Sequence, residues 1–215
     1  MGRVAGVTAT ETREGLLLAA AEAFARRGYD GTRVADIAAS ARVSNGALYA
    51  HFDSKAALLV AALRAHGRRL LAELFAADPG RPVAELLLVI GRRLPSRRDA
   101  RGDLLVEALA AARRDEEVAR PMRDYVGERV GGLAQLMRVA QDRGELDPAL
   151  SADAIAHFCF LLAMGSSLVT PDLLTVDENE WDALLTRLMA ALAPPGSATP
   201  ATEAQETEAQ EEEPR

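Results

Sequence analysis

Apolar side chains return at three- and four-residue intervals along nearly the whole chain, the period that puts them on one face of a helix. Leu17, Ala20, Ala21 and Phe24 share such a face, opposite Glu14, Glu22 and Arg26, and Gly28 is placed to stop that first helix. Thr32 reads as the cap of a short second helix carrying Val34, Ile37 and Ala38 inward, and Ser44 as the cap of a third ending near Ala50. Asp53-Ser54 opens a long fourth helix with the stripe Leu59, Ala62, Leu63, His66 and Leu70. Asp78-Pro79-Gly80-Arg81-Pro82 is a turn that starts a fifth, with Pro82 where no amide donor is needed, and Pro95-Ser96 ends it. Leu104, Leu105, Ala108, Leu109 and Ala112 mark a sixth. Met122, Val126, Val130, Leu133, Met137 and Ala140 mark a long seventh that stops at Gly144. Ser151–Val169 and Glu178–Leu192 supply the last two. The pattern predicts an all-α protein of about nine helices, with no strand.

Composition sharpens this picture. Of 215 residues about half are apolar but only nine are aromatic, so the core is aliphatic and alanine-rich, which favours helix. The single cysteine, Cys159, excludes a disulfide framework, and His51, His66 and His157 are too far apart for a local metal motif. No metal or cofactor is expected. No apolar run is long enough to span a bilayer, and the N-terminus has neither a signal-peptide core nor a myristoylation pattern, so a cytoplasmic protein is expected. From Pro194 to the end there are four prolines and six glutamates but no large aliphatic or aromatic residue; residues 194–215 are expected to be a disordered acidic tail.

The net charge of −7 is unevenly spread. Residues 1–70 carry ten basic against six acidic side chains, so one end of an acidic molecule is suited to a polyanion. Within that end, residues 24–59 describe two short helices joined tightly around Ala41-Arg42-Val43, over a small shared core of Val34, Ile37, Ala38, Val43, Leu48 and Phe52. That is helix-turn-helix geometry, whose second helix fits the major groove. Its solvent side presents Asn45, Gly46, Ala47, Tyr49 and Ala50, small or hydrogen-bonding groups that allow close approach to base edges. Thr32, Ser44, Tyr49, His51 and Lys55 lie around it as candidate phosphate contacts. Motifs for nucleophilic hydrolysis, zinc proteolysis, nucleotide or dinucleotide binding are all missing, so an enzyme is not expected. A helical interaction module that keeps the scaffold without reading DNA is the remaining alternative.

Val43-Ser44-Asn45-Gly46-Ala47-Leu48-Tyr49-Ala50-His51-Phe52-Asp53-Ser54-Lys55 resembles the recognition helix and following cap of the TetR (tetracycline-repressor-like) family of regulators. Two departures stand out: Arg42 where the family often has Gly, and Arg33 where Ser or Thr is frequent, the latter adding a candidate phosphate contact. The resemblance implies a homodimeric repressor on a palindromic operator in double-stranded DNA, released by a small-molecule effector. Residues 1–9 are then a flexible arm, 10–54 the DNA-binding domain, and 55–193 the effector-binding and dimerisation domain.

Base contacts fall to Asn45, Gly46 and Ala47, with Tyr49 shared between base and backbone. A surplus of inward aliphatic groups suggests an effector pocket lined by Leu63, His66, Leu87, Ile90, Leu105, Leu109, Met122, Tyr125, Val126, Leu133, Met137 and Phe160. Such a lining suits a lipophilic compound held by one or two hydrogen bonds. His66 on its inner stripe reads first as a packed or interdomain histidine and second as a pocket-lining one. Ser151–Val169 is apolar on more than one face, including Phe158, Leu161 and Leu168, more than its own domain needs. Ile155, Cys159, Leu162 and Ser166, with Trp181, Leu184, Leu185 and Leu188 of the last helix, are the candidate dimer interface, as a four-helix bundle between two copies.

Overall fold

The computed structural model describes residues 8–66, 70–95, 100–169, 171 and 173–196, with the side chains of all of these except 70 and 100–103. Among the described residues every regular element is helical. In chain order these are α1 (Ala9–Gly31), α2 (Val34–Ser40), α3 (Asn45–Tyr49), α4 (Lys55–His66), α5 (Leu70–Ala77), α6 (Val83–Arg92), α7 (Ala100–Ala112), α8 (Glu116–Asp142), α9 (Ala152–Leu168) and α10 (Glu178–Leu192). Ten helical segments are described where about nine helices were expected: the stretch expected as the fourth holds both α4 and α5, with residues 67–69 between them outside the described residues. No described helix is long and apolar enough to cross a membrane.

Helix starts follow their caps. Thr8 and Glu11 form a reciprocal capping box, so α1 begins at Ala9, inside the stretch expected to be an arm; residues 1–7 lie outside the described residues. Ser44, Ser54, Asp115, Ser151 and Asp177 each accept an amide hydrogen bond at the start of a helix. At α6, Pro82 is the cap residue and cannot bond through its side chain. Glu145 reaches in from beyond α8 instead, accepting from the amides of Val83 at 2.6 Å and Ala84 at 3.3 Å.

Gly28 stops the first run of α1 as expected: its backbone turns to φ 71°, ψ 171°, and a further short helical stretch follows the kink to Gly31. One expectation about the first helices is corrected: Thr32 does not cap α2. The cap residue is Arg33, without a side-chain bond, because the Thr32 hydroxyl is already engaged below.

Two hydrophobic cores hold the bundle. The first joins α1–α4 to α7 and the start of α8, from Leu16, Phe24, Ile37 and Leu48 through Leu59 and Leu63 to Leu104, Ala108, Val118 and Tyr125. It runs without a break across the expected boundary at residues 54–55. The second packs α5, α6, α8 and α9 around Leu71, Val83, Leu86, Met137, Leu146 and Ile155.

The twelve expected pocket residues are spread over both cores. Leu63, Leu105, Leu109, Met122, Tyr125 and Val126 belong to the first core, whereas Leu87, Ile90, Leu133 and Met137 belong to the second. Phe160 is half-buried in neither. The imidazole of His66 keeps a buried Nε2 without a hydrogen-bond partner among the described residues.

The expected interface residues also divide. Ile155 and Leu185 are buried within their own chain. The Trp181 indole N–H donates to the Gly91 carbonyl at 2.9 Å, and the Ser166 hydroxyl to that of Ala163 at 2.9 Å. Cys159 is half-buried beside the second core, and burial pushes its thiol up, away from the reactive thiolate. Leu162 is half-buried. Of the expected residues Leu184 and Leu188 on α10 remain outward, joined by Phe158, Leu161 and Leu168 on α9, each more than two-fifths exposed. A helical pattern with two apolar faces does not say which face the chain keeps for itself. Of the expected tail, Pro194–Gly196 are described and 197–215 lie outside the described residues.

Candidate nucleic-acid interface

The α2–α3 pair is built from short-range bonds over a small apolar floor. After α2, the Arg42 amide donates to the Ala39 carbonyl at 3.0 Å and the Val43 amide to Ala38 at 2.9 Å, which turns the chain sharply. Arg42 takes a left-handed φ of 58° to do so. Ser44 then caps α3, its Oγ accepting from the Ala47 amide at 3.2 Å while its own O–H is left to donate elsewhere. Leu48 and Phe52 are buried in the first core, against which Val34, Ala41 and Val43 also pack, so the register of α3 is fixed from the inside.

This register sets the outward face. Ser44, Asn45 and Gly46 are exposed, Ala47 is half-buried, and Tyr49 is half exposed, its large ring standing clear of the core. Nothing large and aliphatic obstructs Asn45. Its amide can both donate to and accept from one base edge, and the adjacent bare α-carbon of Gly46 allows a second chain to come close. His51, half-buried, leans on the Phe52 ring with centroids 6.3 Å apart.

The cations around α3 are unequal. Arg26 is paired with Glu22 and Arg27 with Asp36, at 3.5 and 2.8 Å. Arg33 and Arg42, at the two ends of α2, are exposed and form no ion pair among the described residues. The Lys55 ammonium lies 4.4 Å over the Tyr29 ring, a cation–π contact. Partial burial lowers its pKa, against the opposing influence of Asp30 and Asp115. Burial, and then the charge of Asp115, pushes the Tyr29 hydroxyl up to about 12, so it stays neutral beside the lysine.

One expected contact is corrected. Thr32 is only 1% exposed, and its hydroxyl points inward at the Gly28 carbonyl at 2.7 Å, with the Ala23 carbonyl at 3.2 Å. Pulling that hydroxyl out to a phosphate would strand a buried acceptor, so Thr32 holds the backbone rather than a ligand. The sequence reading also missed Glu107 of α7, whose Oε1 accepts from the Tyr29 amide at 2.6 Å. Its only sequence signal is a glutamate on a helix face otherwise committed to the core, between Leu105 and Leu109.

With this geometry in view, the comparisons with known proteins agree along the chain. Residues 16–62 match the family model described as bacterial regulatory proteins, tetR family, and residues 76–188 the tetracyclin repressor-like C-terminal domain. The HTH-type transcriptional regulator UidR of Escherichia coli K12 is 29% identical over 157 residues, covering 73% of this chain and 80% of that protein. The HTH-type transcriptional repressor BepR of Brucella suis is also 29% identical, over 197 residues, covering 80% and 81%. A crystal structure from Rhodococcus sp., described as a TetR-family transcriptional regulator, superimposes with a TM-score of 0.71 at 26% identity, covering 86% of this chain and 99% of that one.

Proposed function

Because the chain belongs to the TetR family of bacterial regulatory proteins, and is a DNA-binding transcriptional regulator, we propose that it works as a homodimeric repressor. It reads a palindromic operator and is released by a small, largely apolar effector. The observation that carries the DNA half is the outward face of α3. Asn45, Gly46, Ala47 and Tyr49 are offered to base edges beside the exposed Arg33. Ser44, His51 and Lys55 are assigned to phosphate oxygens, the Ser44 hydroxyl being free to donate. Residues 10–54 supply this surface and 55–193 the effector and dimer functions, in the cytoplasm where the DNA is. A lone helix-turn-helix makes too few contacts for useful specificity, and two reading heads spaced about 34 Å apart bring two half-sites together. The apolar stripe Phe158, Leu161, Leu168, Leu184 and Leu188 is the surface through which a second copy joins.

For the effector, the supporting observation is His66. Its Nε2 is buried at the end of α4 with no hydrogen-bond partner among the described residues, and one polar group on an otherwise lipophilic molecule would satisfy it. Leu63, on the same helix, and Met122 and Tyr125 of α8 are the core members nearest in kind to such a lining. DNA binding is tested by fluorescence anisotropy on duplexes selected by the protein from a random-sequence pool. Affinity falls steeply between low and moderate salt, as expected when phosphate contacts release counterions. Lys55→Ala weakens all selected duplexes to a similar degree, whereas Asn45→Ala changes their ranking, by roughly 1–3 kcal/mol at the affected base pair. Equal loss on every duplex for both variants would remove Asn45 from base readout.

A further inference from the structure

Where α1 breaks at Gly28, the Tyr29 amide loses the carbonyl it would meet in a continuous helix. Its acceptor comes instead from 78 residues further along the chain, the partly buried Glu107 carboxylate of α7, at 2.6 Å. The approach depends on Gly28 itself. A Cβ there would sit 3.0 Å from the same Glu107 oxygen, and the φ of 71° is one that side-chain-bearing residues rarely adopt. The kink and the carboxylate are therefore matched to one another.

Other groups gather on the same three residues. Arg114 pairs with Asp30 at 3.1 Å, the Lys55 ammonium covers the Tyr29 ring, and the charge of Asp115 bears on the Tyr29 hydroxyl. The Arg114–Asp30 pair is exposed on both sides and contributes little. The charge-assisted bond from amide to carboxylate is shorter, better shielded and directional. Immediately beyond this clamp the Thr32 hydroxyl grips the Gly28 carbonyl, and α2 begins two residues later. The direction in which α2 leaves, and with it the attitude of α3, is set at Gly28–Asp30.

We infer that Glu107 is a positioning residue for DNA recognition: by accepting the Tyr29 amide it fixes the break in α1 and so the angle at which α2 and α3 meet the groove. It acts through the backbone of Tyr29 and touches no DNA. This rests on the DNA-reading function above.

The test compares two substitutions with opposite chemistry in the full-length chain. Glu107→Gln removes the charge but keeps an oxygen at the same reach, whereas Glu107→Asp keeps the charge and withdraws the oxygen by one methylene. Affinity for the duplex selected by the unaltered protein is measured by anisotropy well below the lowest melting midpoint of the set, with the midpoints recorded alongside. Glu107→Gln is expected to bind within a few-fold of the parent, and Glu107→Asp about tenfold more weakly. Equal binding by all three proteins, whatever their melting midpoints, reduces Glu107 to a stabilising contact and overturns the inference. So does the reverse order, with Glu107→Gln the weaker, because charge rather than an amide acceptor would then be responsible. Failure of the parent to select any duplex removes the DNA-reading function itself, a separate result.

Discussion

Arg42 is the residue whose backbone and side chain disagree. The turn after α2 needs a left-handed residue, and at φ 58° an arginine carries the Cβ clash that glycine escapes, a cost of about 1–2 kcal/mol. Arg42→Gly relieves it while loosening the unfolded chain by roughly 0.4–1 kcal/mol. The net expectation is a gain of about 1 kcal/mol, visible as a higher urea midpoint at unchanged slope. A lower midpoint would mean that the arginine side chain holds the turn through contacts of its own. The sequence already pointed here, because the resemblance places glycine at this position. Thr32 shows the opposite case. A threonine just before a helix reads the same whether its hydroxyl caps that helix or grips the carbonyl of a kink behind it, and only the break at Gly28 decides. Ser44, Ser54 and Ser151 were readable because each bonds an amide three residues ahead, within its own stretch of sequence.

At the level of elements, the informative pair is α6 and α10. Periodicity identifies both as amphipathic but leaves open which α10 face meets α6. Here Trp181 and Leu185 turn inward while Leu184 and Leu188 turn out. The close approach is made at Gly91, where a Cβ would lie 3.1 Å from Leu185 Cδ1, and the Arg92–Asp182 ion pair flanks it. Gly91→Val would force a branched side chain into that contact, an overpacking cost of typically 1–3 kcal/mol. Trp181 is the sole tryptophan, so its emission reports the docking directly. The variant is expected to melt earlier, with red-shifted emission preceding the loss of helical circular dichroism. If emission and helicity still fall together at the parent's midpoint, the α6–α10 contact is looser than drawn. No single-chain pattern could have shown Gly91 to be a contact point, because its partner lies 94 positions away in sequence.

For the whole molecule, the proposed dimer gives the outward stripe on α9 and α10 a second copy as its cover. Phe158, Leu161, Gly165 and Leu168 follow one another at helical spacing on α9, and nothing lies within 4 Å of a Cβ placed at Gly165, so another helix can approach there. Leu161→Glu combined with Leu188→Glu is expected to give a monomer by light scattering while leaving the inward residues Ile155 and Leu185 packed. A dimer that survives both charges would place the interface elsewhere. The helical class and the reading head were legible because both are written in local pattern, whereas the division of buried residues between two cores depends on contacts far apart in sequence. The first of those cores carries a further consequence. Since Phe24, Leu63, Ala108 and Tyr125 share it, the reading head is not a cartridge that can be lifted out and traded between relatives. A lineage that acquires a new operator by changing α3 alone leaves this core intact, but one that borrows a foreign first domain inherits a mismatched seam with α7 and must re-cut both sides of it. Specificity in this chain is free to drift on the outside of α3 and is anchored everywhere behind it.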